Sequence, residues 1–248
     1  MRPTRLLVLA ATAALSALAL NACNQADAKP GAVVPPAAVT SAAPIALTTG
    51  AATWVDSLSD SVLVDRADKG RLLGKEGSAI WVVMISDFQC PYCKTWHDAS
   101  MAKVQEEYVN TGRVRMAYMN LPLAQHPHAR AEAEGALCAG VQGKFWPFSE
   151  ALFEQQGTIA KLPTIQPTLE AIARKLTLDM PAFTACQRRD VIKALVESDV
   201  QQATKAGVSS TPSFLVGDFL VQGALELPDF RRAIDTALVL AKNAKRTR

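Results

Sequence analysis

The sequence has little with which to hold a metal. It contains three histidines and five cysteines, and one closely spaced cysteine pair, Cys90 and Cys93, in the stretch SDFQCPYCKTW, 86–96. A structural zinc site needs about four ligands, commonly two such pairs or a pair with two histidines. A lone CxxC is therefore a weak metal signal. Charge excess is missing too. The formal net charge is +3, and it falls close to neutral if Arg2 and Arg5 are removed. That balance excludes a broad basic face for nucleic acid, and the basic end KNAKRTR, 242–248, reads as a solvated helix end. No internal repeat is present.

The start of the chain decides how its cysteines are read. Arg2 and Arg5 precede an uncharged apolar stretch, Leu6 to Leu20. This is the layout of an export signal, and it is short for a membrane span. The stretch ends in LNAC, 20–23, which resembles the bacterial lipobox. That resemblance implies that Cys23 is lipidated and becomes the new N-terminus. Ordinary cleavage after Ala-Asp-Ala, 26–28, with Cys23 discarded, is the other reading. Both readings place the protein in the periplasm or on the outer face of the cell envelope, where disulfides persist. Residues 24–52 are rich in Ala, Pro, Thr and Ser, are nearly uncharged and show no period. They read as a flexible tether.

The remaining 53–248 is long enough for one domain with a sizeable core. IWVVMIS, 80–86, reads as a strand buried on both faces. Lys94 to Val109 carries a helical pattern with Trp96, Met101, Val104 and Tyr108 apolar, and Asn110-Thr111-Gly112 stops it. A second strand follows at 113–119. The pair Cys90/Cys93 thus falls at a strand–loop–helix junction in a βαβ unit, where CxxC reads as a redox motif. From 128 to 207 the pattern is helical, with candidate helices at 128–142, 145–155, 167–177 and 188–206, broken at Gly143, Gly157, Pro163, Pro167 and Pro181. TPSFLVGDFLVQG, 211–223, reads as two strands around a turn at Gly217-Asp218. An amphipathic helix, 228–243, closes the domain. The expected class is α/β, with 53–127 and 208–248 flanking a helical insert at 128–207.

The spacing carries the chemistry. Cys90 opens a helix and Pro91 sits in its first turn, where the missing N–H costs nothing. Free N–H groups and the helix dipole favour a thiolate on Cys90. The dipole supplies at most about 2 kcal/mol, whereas a strongly acidic thiol needs roughly 5. Direct hydrogen bonds, one of them from the Cys93 thiol, have to supply the rest. Cys90 is then the exposed attacking sulfur and Cys93 the resolving one. At Thr211-Pro212 a cis proline would leave the preceding backbone free to pair with a substrate. An ordinary trans proline opening a strand is the alternative.

Together SDFQCPYC at 86–93, LPLAQHPHA at 121–129, CAGVQGKFW at 138–146, Leu152-Phe153 and GVSSTPSFLVG at 207–217 resemble the DsbA-type thiol–disulfide oxidoreductases. The resemblance implies a thioredoxin fold with an inserted helical domain. It makes Cys90 the nucleophile, Cys93 the resolving cysteine, Pro212 the cis-proline and Thr211 the residue touching the site. It implies exported cysteine-containing protein substrates, a membrane or soluble redox partner, no cofactor and no metal. Many relatives carry a buried acid six residues before the first cysteine. Here that position is Met84. Asp87 is nearer, but alternation sends it to another face, so a water or another acid must handle the proton. Pro-Tyr between the cysteines resembles glutaredoxins and a reductase- and isomerase-like relative. It implies a potential below that of DsbA, about −120 mV, and above that of thioredoxin, about −270 mV.

Cys138 and Cys186 remain. In an oxidising compartment two leftover cysteines commonly pair, closing a loop of about 49 residues worth roughly 4 kcal/mol. Two buried thiols are the alternative. Phe145, Trp146 and Phe148 read as core of the insert, His97 as packed or solvent-facing, and His126-Pro127-His128 as a loop. The expected function is disulfide formation or exchange in exported proteins by a monomer anchored to the membrane through lipid. An isomerase or reductase of the same fold, and a tethered metal-binding module, are the other readings.

Overall fold

The strand over Ile80–Ser86 (β2) is the centre of a five-stranded mixed sheet. The computed structural model describes residues 52–246. The export and lipobox segment 1–23 with Cys23, the tether apart from its last residue, and the final two residues of the basic end lie outside the described residues. In chain order the described part contains α1 Asp60–Gly70, β1 Leu72–Leu73, β2, α2 over 91–109, and β3 Val114–Asn120. Then follow α3 Ala129–Val141, α4 Phe145–Ile159, α5 Gln166–Lys175, α6 Met180–Gln187 and α7 Asp190–Lys205. β4 Ser213–Val216, β5 Phe219–Gln222 and α8 Leu227–Arg246 complete it. The strand order is β1-β3-β2-β4-β5. β2 runs parallel to β3 and antiparallel to β4, as a βαβ unit followed by a hairpin requires.

Alternation assigns the faces. Val82, Met84 and Ser86 share one face with Met116, Tyr118 and Asn120 of β3 and with Phe214 and Val216 of β4. Onto this face α2 brings Trp96, whose ring lies 4.5 Å from Phe214 and 5.0 Å from Phe230 of α8. On the other face, Ile85 and Leu121 pack with Ala203 of α7 and with Val208. β2 is not buried on both faces along its whole length, as its composition suggested. Trp81 is 41% exposed, because the cover from α7 does not reach that end. The Arg115 guanidinium stacks over its ring instead, at 4.7 Å.

Two expectations about helix limits are corrected, at Gly157 and at Pro181. The second helix begins at Pro91 with Cys90 as its N-cap, as the placement of Pro91 in a first turn implied, and Cys93 lies within that turn. It then passes through two wider turns, His97–Met101 and Gln105–Val109, before Gly112, at φ 77°, ends it. Gly157 lies inside α4 rather than ending it. Pro181 opens a helix that was not expected, α6, and Pro167 stands at the start of α5 where the candidate helix 167–177 placed it, each in a first turn where no amide hydrogen is needed. For α6 the Asp179 side chain caps the start, accepting from Ala182 N at 3.1 Å.

The stretch before β2, for which no element was expected, forms α1 and the edge strand β1. α1 crosses α3 at a glycine contact. A methyl group on Gly70 would stand 2.4 Å from the carbonyl oxygen of Gly140. Arg71 follows and pairs with the buried Asp199 of α7, which also accepts from Asn120 N at 3.0 Å and from its side-chain amide at 2.9 Å. These contacts tie the helices between β3 and β4 to the sheet. No helix among the described residues is long and apolar enough to cross a membrane.

Candidate active site

β2 ends at Ser86, and the chain turns through 87–90 into α2. Cys90 is the N-cap, with extended backbone (φ −72°, ψ 120°) and no side-chain capping bond. Its sulfur therefore faces the open N–H groups of the first turn. Cys93 lies one turn on, and both cysteines are free. Opposite them the Thr211–Pro212 peptide bond is cis, and the Cys90 thiol donates to the Thr211 carbonyl oxygen at 3.3 Å. Cys90, expected to be exposed, is only 4% exposed. The Thr211 carbonyl and the turn that precedes α2 cover it, while Tyr92 stands out at 67%.

The two thiols are driven apart. Cys90 is lowered to about 5, first by the Cys93 thiol as hydrogen-bond donor, then by the Thr211 side chain and the backbone N–H groups of Cys93 and Tyr92, against burial. Cys93 is raised, first by burial and then by the neighbouring Cys90. Hydrogen bonds thus supply what the dipole alone could not.

The turn carrying Cys90 is held first by a residue that the sequence did not mark. Gln156 of α4 reaches in from the helices between β3 and β4. Its side-chain amide donates to the Phe88 carbonyl at 2.6 Å and to the Cys90 carbonyl at 3.0 Å. Asp87 points away from the thiols. It accepts from Gln89 N at 2.7 Å and Leu123 N at 2.8 Å, and lies 2.7 Å from His126 Nδ1. His128 donates its backbone N–H to Gln89 at 2.8 Å, and its ring sits 2.8 Å from the Leu162 carbonyl oxygen. The His-Pro-His loop is thus a brace for the cysteine turn. No periodicity could have found it, although LPLAQHPHA had been marked by resemblance. His97 packs on Phe153 at 4.7 Å. Phe145 and Phe148 are buried as expected, and Phe145 and Trp146 also meet Tyr118 of the sheet edge-on.

Cys138 on α3 and Cys186 on α6 form a disulfide, with Cα atoms 5.7 Å apart. Met84 is buried between Tyr118 and Phe214. Among the described residues no group of three or more His, Cys, Asp or Glu side chains is arranged to hold a metal ion.

Comparison with known proteins agrees with this geometry. The thioredoxin family model matches residues 66–236. The chain is 30% identical over 193 residues to a probable disulfide bond formation protein D of Bacillus anthracis, covering 72% of this chain and 87% of that one. Among solved structures, oxidised BdbD of Bacillus subtilis superposes with a TM-score of 0.62 at 24% identity, covering 68% of this chain and 94% of its own. A thioredoxin-like oxidoreductase of Silicibacter pomeroyi superposes at 0.57 with 27% identity, covering 73% and 98%.

Proposed function

Because this chain belongs to the thioredoxin family and is a protein thiol–disulfide oxidoreductase of the disulfide-bond-formation type, we propose that Cys90 and Cys93 are its redox pair and that the pair oxidises dithiols of exported proteins. The observation that carries this reading is geometric: Cys90 caps a helix one turn before Cys93, with its sulfur 3.3 Å from the carbonyl oxygen that precedes the cis Thr211–Pro212 bond.

In the disulfide form, a substrate thiolate attacks Cys90 Sγ. The Cys90–Cys93 bond breaks, and Cys93 leaves with the bonding pair and takes up a proton. A second substrate thiolate then attacks the substrate sulfur of the mixed disulfide and expels Cys90 as a thiolate. Two electrons have passed from substrate to protein. A low-pKa leaving group speeds the second step and stabilises the dithiol form, which makes the pair oxidising. A value near 5 lies between those of thioredoxin, about 7, and DsbA, about 3.5. The potential then falls between about −270 and about −120 mV. Thr211 and Pro212 form the opposite wall, where the backbone of an extended client can lie.

The same reading divides the chain into thioredoxin-like segments 53–127 and 208–248 around the helical insert 128–207. The placement of α3 to α7 between β3 and β4 supports it. The apolar segment and LNAC support export, with Cys23 as lipid anchor and a monomer working at the envelope with a membrane or soluble redox partner. Equilibration of the Cys90–Cys93 pair against glutathione buffers tests the direction. A potential at or below about −270 mV would make the protein a reductant instead. Incorporation of labelled fatty acid into the wild type and not into Cys23→Ala tests the anchor.

A further inference from the structure

A set of buried polar side-chain atoms has no hydrogen-bond partner in this structure. They are the Ser86 hydroxyl at the end of β2, the Tyr118 hydroxyl on β3 and both carboxyl oxygens of Glu132 on α3. Each of these residues is 1% exposed or less. Ser86 and Tyr118 share a face of the sheet, one step apart in the parallel register that pairs Ser86 with Asn120 and Met84 with Tyr118. The Ser86 hydroxyl interacts with both the Cys93 thiol and the Tyr118 hydroxyl, without completing a hydrogen bond to either in this state. The Tyr118 hydroxyl in turn feels the charges of Cys93, Asp87 and Glu132. A carboxyl left unpartnered in a core is costly to keep, and a leucine would fill the same space.

We propose that Glu132 is the proton reservoir of the resolving cysteine, exchanging its proton with Cys93 through the Ser86 and Tyr118 hydroxyls. The proposal rests on Cys90 and Cys93 being the redox pair. When a substrate thiolate attacks Cys90 Sγ, Cys93 departs with the electron pair of the broken S–S bond. Its sulfur takes a proton from the Ser86 hydroxyl. Tyr118 restores that proton, and Glu132 restores the one Tyr118 gave, ending as a carboxylate. In the reverse direction the carboxylate draws the Cys93 proton back along the same groups. The new thiolate attacks Cys90 Sγ of the mixed disulfide and releases the substrate thiolate.

The surroundings fit the task. Burial, and then the negative charge of Asp87, push Glu132 up to about 8, so at neutral pH its carboxyl holds the proton to be given. Asp87 itself is engaged by His126 and two backbone amides. Arg130 and Glu134, on the same helix, interact with Glu197 and Lys193 of α7 instead. Asp199 is ion-paired with Arg71 through its Oδ2, which also accepts from Asn120, while its Oδ1 has no partner.

Reduced protein mixed with glutathione disulfide gives two phases, capture of glutathione on Cys90 and its release by Cys93. The wild-type release rate rises with pH and inflects near 8, where Glu132 loses its proton. In Glu132→Gln and Glu132→Leu the capture phase and the Cys90 thiolate titration stay unchanged. Release slows about a hundredfold at neutral pH, and its inflection disappears. Tyr118→Phe and Ser86→Ala slow the same phase alone. Glu132→Leu keeps or raises the melting temperature, which separates lost proton transfer from lost folding. Wild-type release kinetics in both Glu132 variants would overturn the proposal. Absence of the capture phase in the wild type would instead overturn the role of Cys90.

Discussion

The Cys90 thiol lies 3.3 Å from the Thr211 carbonyl oxygen, across 121 residues of chain. One sulfur at a helix start and one carbonyl before a cis proline thus form the two walls of the site. On the proposed function, a client strand has to displace this contact to reach Cys90, which is otherwise covered.

If Cys90 attacks and Cys93 resolves, the two serine variants differ in kind. Cys90→Ser loses dithiol oxidation altogether. Cys93→Ser still captures a substrate thiol on Cys90 but releases it slowly, so mixed disulfides accumulate. Mass spectrometry of variants incubated with a cysteine peptide distinguishes the two outcomes.

The Cys90 displacement sets a pH dependence. Its folded value, about 5, lies below the unfolded one, about 8.5. A lowered value adds stability that is complete above the unfolded pKa and lost as pH falls through the folded one. At pH 7, about two units above the folded value, the reduced form gains about 2–3 kcal/mol from this group. That gain vanishes below pH 5. The raised Cys93 opposes it only above about pH 8.5, where the unfolded chain would ionise. Denaturant titrations of the reduced protein at pH 4.5 and 7 check the sign. The midpoint potential changes with the same ionisation, from about 59 mV per pH unit below pH 5 to about 30 above it.

Gln156→Leu leaves the Phe88 and Cys90 carbonyls without their donor. Two buried acceptors losing one amide cost about 1–3 kcal/mol. The turn around Cys90 also loosens, so amide exchange at 88–93 should accelerate more than exchange in α8. Equal acceleration everywhere would mean that Gln156 serves general packing instead.

Cys138 and Cys186 are buried to 1% exposure or less. Mild reduction of the folded oxidised protein should therefore release two thiols, Cys90 and Cys93, and the other bond should open only with unfolding. Replacing both Cys138 and Cys186 by alanine should cost about 2–4 kcal/mol, with the Cys90–Cys93 potential unchanged. Thiol counting and a melting curve read both effects.

Gly70→Ala brings a methyl group to 2.4 Å from the Gly140 carbonyl oxygen where α1 crosses α3. Overpacking of this kind costs about 1–3 kcal/mol. Gly157→Ala, on an open helix surface, should instead stabilise by up to about 1 kcal/mol. The opposite signs are read from two melting curves.

Much of this was written in the chain. A β-branched run leading into CPYC, a period of 3.6 after it and a Gly-Asp turn between apolar stretches specify the elements, because local hydrogen bonding and burial act within a few residues. The same locality explains the errors. Pro181 reads equally as a breaker or as a helix start until the next turn is known. α1 has only Leu63 and Ala67 buried, so its pattern is faint, and it is held by contact with Gly140, seventy residues away.

What the sequence determined by itself was the pairing of chemistries: two sulfurs one turn apart at a helix start, and a Thr-Pro step to face them. Tertiary structure decided everything that depends on distance between remote segments. It buried Cys90, set Gln156 and the His126–His128 loop around its turn, and joined Cys138 to Cys186. It also left Glu132 unpartnered near Tyr118. The physical reason is that thiol acidity and carboxyl burial are set by atoms within a few ångströms, and most of those atoms arrive from elements dozens of residues away.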